Sequence, residues 1–107
     1  MNLFQRWRAW RERRRTEARA RRMQYLRRAL ATIQSESNTG RAQRLLSELP
    51  EVVRVRTERG DWQLPSVLVT LRDGRDFYAR DLPTIKAIHE AAGRVVAHLL
   101  TSGENSP

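Results

Sequence analysis

The chain has 107 residues, with 21 Lys or Arg against 12 Asp or Glu and no cysteine. That length holds one small cored domain plus an appendage but not two domains. The lack of cysteine excludes disulfide staples and thiolate metal sites. With no apolar leader and no run approaching the roughly 20 apolar residues of a membrane-spanning helix, the composition predicts a cytoplasmic protein.

Charge is distributed unevenly. Residues 1–28 hold eleven arginines against Glu12 and Glu17, whereas the rest of the chain balances ten bases against ten acids. The whole net charge of +9 therefore sits in a basic arm ahead of a neutral domain. Arginine also dominates the neutral part, where Lys86 is the single lysine. Clustering, rather than residue type, is what marks the arm.

No proline or glycine precedes Gly40, and residues 3–34 are rich in Arg, Ala, Glu, Gln, Leu and Met, which predicts one long helix. Leu3, Trp7 and Trp10 share a face at its start, and Met23, Leu26, Leu30 and Ile33 form a stripe at its finish. Between them, residues 11–22 offer only Ala18 and Ala20 as apolar residues, with arginines on every side. Like charges three and four apart repel, so this middle is expected to be a strained or frayed helix in free solution that a polyanion relieves. The stripe on 23–33 needs cover, from the domain or from a second copy of the chain.

"SESNTG" (35–40) is a polar break in which Asn38 or Thr39 caps a short helix over 40–49 with Ala42, Leu45, Leu46 and Leu49 on one face. Pro50 closes it. "VVRVRTE" (52–58) alternates Val53, Val55 and Thr57 against Val52, Arg54 and Arg56, the pattern of a half-buried strand. "RGDWQLP" is then a loop. "SVLVTLRDGRDFYA" predicts strands at 66–72 and 75–79 joined by Asp73-Gly74 in a two-residue turn of positive φ. Asp81 is placed to cap a last helix with Pro83 in its first turn and Ile85, Ile88, Ala92, Val95, Val96, Leu99 and Leu100 as its apolar stripe. The tail is expected to be disordered.

The expected fold is therefore α+β. It comprises a basic helical arm (1–36), an α-β-β-β-α domain (37–101) with both helices on one face of a three-stranded antiparallel sheet, and a disordered tail (102–107).

From the hairpin onward this order resembles the double-stranded RNA-binding domain. "LRDGRDF", ending at Phe77, matches that family's hairpin, and Ala87, Ala91 and Ala92 fall at its alanine positions. The resemblance implies the same sheet-and-helix platform and duplex RNA as a ligand. The family's phosphate-gripping lysines are replaced here by Thr84, Ile85 and Ile88, and its first strand connection carries Trp62 with no histidine. The shape is shared with the arm-type DNA-binding domains of phage integrases.

Catalytic constellations are not evident. His89 and His98 are nine residues apart on different sides of the last helix, so they cannot share a metal. Asp61, Asp73, Asp76, Asp81 and Glu90 read as turn formers, caps and arginine partners. No cofactor, metal or catalytic residue is expected, and the protein does not read as an enzyme. One enzymatic alternative assembles Arg54, Arg56, Arg75, Tyr78 and His89 as in small ribonuclease toxins.

The pattern points first to a small basic nucleic-acid-binding protein, with phosphate contacts from Arg11, Arg13, Arg14, Arg15, Arg19, Arg21 and Arg22. DNA and RNA both stay open as ligands. Trp7 and Trp10 are candidate interface anchors that fit base stacking, a protein groove or a lipid interface equally, with packing on the domain or on a second copy of the helix as a fourth option. The alternative is therefore an adaptor docked on an anionic membrane or an acidic protein.

Overall fold

The structure, a computed structural model, describes residues 2–59 and 65–105. Most of the expected "RGDWQLP" loop, with Asp61 and Trp62, and the last two residues of the tail lie outside the described residues.

Helix α1 (Leu3–Ser35) runs without interruption for 33 residues, about 50 Å at 1.5 Å per residue. Asn2 caps it: its Oδ1 accepts from the Gln5 N–H at 2.8 Å, and the Asn2 N–H donates to Gln5 Oε1 at 3.4 Å, a reciprocal capping box. α2 (Thr39–Ser47) is capped by Asn38, whose Oδ1 accepts from the Arg41 N–H at 3.0 Å. Strands β1 (Val52–Glu58), β2 (Ser66–Leu71) and β3 (Asp76–Ala79) form an antiparallel sheet in the order β1-β2-β3. α3 (Thr84–Asn105) completes the chain. The α+β architecture with a long N-terminal helix is thus as the residue pattern predicts.

α3 packs on β2 and β3, α2 packs on β1, and α1 packs on α3 and α2. Val67, Val69, Leu71 and Ala79 of the sheet meet Ala87, Ile88, Ala91, Ala92, Val95, Val96 and Leu99 of α3 in one core, with Ala42, Leu46 and Leu49 from α2. Leu26 and Ile33 of α1 are as buried as any of these. The apolar stripe on 23–33 is therefore covered within one chain, and the last three turns of the "arm" belong to the core. What stands clear is residues 3–22, where every side chain except the half-buried Ala9 is exposed.

Four local expectations need correction. The β1 register slips between Val52 and Arg54, so Val53 is the extra residue of a bulge and is exposed while Val52 turns inward. The hairpin loop has three residues: the Gly74 N–H donates to Leu71 O at 3.0 Å, the Leu71 N–H donates to Arg75 O at 2.9 Å, and only Gly74 (φ 89) takes positive φ. This is the turn closed by a left-handed glycine bulge. Asp81 adopts left-handed backbone (φ 60) instead of capping, and Pro83 O accepts the Ala87 N–H at the start of α3. Lastly, α3 continues to Asn105 through Gly103, so most of the tail expected to be disordered is helical.

Candidate functional site

The exposed part of α1 carries nine arginines against Glu12 and Glu17. All seven predicted arginines, Arg11, Arg13, Arg14, Arg15, Arg19, Arg21 and Arg22, lie on it and are exposed. The repulsion expected among them is partly offset by the aromatic residues. The guanidinium of Arg8 lies 4.9 Å from the Phe4 ring centroid, that of Arg11 5.1 Å from Trp7, and that of Arg14 4.9 Å from Trp10. Each pair is four residues apart, so each arginine stacks on the ring one turn before it. Arg8 and Phe4 were not among the predicted site residues. The signal was present in their spacing, which repeats that of the two Trp–Arg pairs.

Trp7 and Trp10 remain 51 % and 49 % exposed. They pack neither on the domain nor out of solvent, and with Leu3, Arg6, Ala9 and Arg13 they line a shallow open groove along one side of the helix. Phe4 tilts toward Trp7 with centroids 6.5 Å apart. The tip of the arm is thus an aromatic cluster rimmed by arginine.

At the root of the arm, Arg22 Nη2 is 3.5 Å from Glu51 Oε1. The second carboxylate oxygen, Glu51 Oε2, is buried without a hydrogen-bond partner, so Arg22 supplies the polar contact this carboxylate has from α1. Glu51 O in turn accepts the Arg72 N–H at 3.0 Å. One short chain of contacts therefore links the arm to the β2–β3 hairpin.

Within that hairpin, Asp73 Oδ1 accepts the Arg75 N–H at 3.0 Å and Oδ2 accepts from His98 Nε2 at 3.0 Å. These two donors, the Arg75 backbone first, hold the Asp73 carboxyl below its ordinary value. His98 is mostly buried and lies against Phe77, with ring centroids 5.4 Å apart and planes tilted by 45°. His89 sits elsewhere, its Nε2 2.9 Å from Glu36 O, with Gln34 Nε2 donating to His89 O at 3.2 Å. A carbonyl only accepts, so this ring carries its proton on Nε2. Both histidines thus act as ties between elements.

The open face of the sheet pairs Arg54 with Thr70, Arg56 with Leu68, and Leu68 with Tyr78. Arg80 stacks over Tyr78 at 4.8 Å. Arg54, Arg56 and Tyr78 therefore share a surface, but His89 faces α1 on the far side of the helical layer and Arg75 lies in the hairpin turn. The ribonuclease-like set does not converge. Ala87, Ala91 and Ala92 are buried against the sheet, as is Ile88, one of the residues standing where the double-stranded RNA-binding domain has lysine.

Among the described residues, no group of three acidic or histidine side chains is placed to hold a metal ion, and no helix is long and apolar enough to cross a membrane. Compared with family models, curated proteins and solved structures, the chain shows no match.

Proposed function

We propose that this protein binds nucleic acid, through sequence-independent phosphate contacts made by the arginines of the projecting half of α1. The single observation that carries this reading is that nine arginines stand on some twenty residues of exposed helix with only Glu12 and Glu17 beside them. Arginine's planar fork suits phosphate oxygens, and a concentrated positive field on a projecting element draws polyanions. The neutral domain acts as the platform for the arm.

The test is a titration of the full chain with duplex DNA, duplex RNA and single strands over a salt series. Each phosphate neutralised on B-form DNA contributes a slope of about −0.9 in log K against log salt. A steep slope that flattens when Arg13, Arg15, Arg19 and Arg21 are changed to Gln supports the reading. Weak, salt-insensitive binding defeats it.

The exposed Leu3–Trp7–Trp10 groove favours one second reading, an adaptor that docks this tip on an anionic lipid surface or in an acidic protein groove. Its signature is a blue shift of tryptophan fluorescence on anionic vesicles, without nucleic-acid binding.

A further inference from the structure

Resting on that nucleic-acid reading, we propose that the ligand is a duplex lying in the inner corner between the arm and the domain. It is held on one side by a ladder of Arg8, Arg11, Arg15 and Arg19, rooted at the Arg22–Glu51 pair, and at the foot by Arg72 and Arg75 of the β2–β3 hairpin.

The first step is the rotational phase of the arm. Helix α1 has no break between its exposed and its buried halves, so burial of Leu26 and Ile33 fixes the direction in which every residue before them points. At about 100° per residue, Arg8, Arg11, Arg15, Arg19 and Arg22 fall within roughly 80° of arc, the same arc that contains Leu26, Ala29 and Ile33. The side that packs on the domain in the last turns is therefore the side that carries the arginine ladder beyond the domain's edge. From Arg8 to Arg22 the ladder is about 21 Å long.

The second step is what lies at its foot. Arg22 meets Glu51, and Glu51 O holds the Arg72 backbone, so the hairpin tip stands at the end of the domain from which the arm leaves. The acid within that turn, Asp73, is exposed but has His98 and the Arg75 N–H as hydrogen-bond donors. Glu51 is likewise engaged by Arg22. Glu48, just after α2, and Asp76, next to Arg75, are further exposed acids at this end. Arg72 and Arg75 are both exposed and extend the positive surface around the corner.

The third step is the occupant. A straight ladder with a fixed second contact at its foot is a rigid angle, and it suits a stiff, straight polyanion. A duplex is such a rod, carrying one charge per about 1.7 Å of axis with both strands counted. A flexible strand gains nothing from the fixed angle.

The test uses the full chain and a short blunt DNA duplex, with an RNA duplex and a single strand of the same sequence alongside. Arg15→Gln with Arg19→Gln is expected to lower the salt slope by nearly two units, and Arg72→Gln with Arg75→Gln by one to two units. Arg27→Gln with Arg28→Gln, which removes the same charge from the outward side of the core segment, is expected to leave the slope unchanged. One alanine inserted between Arg22 and Met23 turns the arm by about 100° at constant charge. In that chain the hairpin pair should no longer matter, so the coupling between insertion and hairpin substitutions is the signature. If the unaltered chain fails to bind any nucleic acid, the proposed function itself falls. If it binds but the hairpin pair has no effect, the hairpin effect survives the insertion, or the single strand binds as well as the duplexes, the corner site is overturned and the arm alone is the binding element.

Discussion

His98 Nε2 lies 3.0 Å from Asp73 Oδ2, so a residue in the penultimate turns of α3 fastens the tip of the β2–β3 hairpin. The contact spans 25 positions of sequence and sits beside the Phe77 ring. It closes the end of the domain from which the arm departs.

The Asp73 carboxyl is held below its ordinary value of 3.8 by the Arg75 N–H first and His98 second. A carboxyl that is more acidic in the folded state contributes stability above its unfolded value and loses it as pH falls through the folded one. Thermal melts of the wild type are therefore expected to fall as pH drops below about 4. Asp73→Asn should give a shallower acid decline over the same window. Parallel curves for the two chains would show that the pair carries no linkage.

Gly74 has φ 89 and nothing within 4 Å of where a Cβ would sit. The cost of Gly74→Ala is then backbone strain alone, expected at about 1 kcal/mol. Chemical denaturation should register it as a shifted midpoint with an unchanged slope. A larger loss would mean that the turn rearranges.

Leu26 lies in the helix that carries the arm yet is 1 % exposed. Leu26→Ala should destabilise the whole domain by about 2–5 kcal/mol, read by urea denaturation followed at a domain probe. Removing residues 1–36 should be worse still, since Ile33 goes with them. A truncation at Met23 keeps the core intact and is expected to melt close to the full chain.

Trp7 and Trp10 each support an arginine four residues on. An exposed stack of this kind is worth about 0.5–1 kcal/mol. Trp7→Ala with Trp10→Ala is expected to lower helicity by far-ultraviolet circular dichroism without moving the melting temperature of the core. Retained helicity would show that the arm's stability comes from its continuity with the buried half.

Much of this fold can be read from residues alone, because local pattern and global packing agree. Apolar spacing sets α1, α2 and α3, and Asp73-Gly74 sets the hairpin. Each failure has its own local physical cause. Val53 and Val52 exchange faces because a bulge breaks strict alternation, and α3 passes through Gly103 although glycine usually ends a helix. Asp81 uses its side chain's tolerance of left-handed backbone instead of capping. In the candidate site, the clustered arginines and the tryptophans were legible as a pattern. What covers the Leu26–Ile33 stripe was not, because the packing of α1 on α2 and α3, and the meeting of Arg22 with Glu51 29 positions away, are contacts between segments distant in sequence.

The unbroken course of α1 makes the arm a lever. About 30 Å of helix projects beyond a seat, from Leu26 to Ile33, of about 10 Å. Force applied near Trp7 reaches that seat magnified roughly threefold, with no hinge to dissipate it. A ligand that grips the tip therefore pulls directly on the hydrophobic core, and a mutation that loosens the core slackens the grip at the far end.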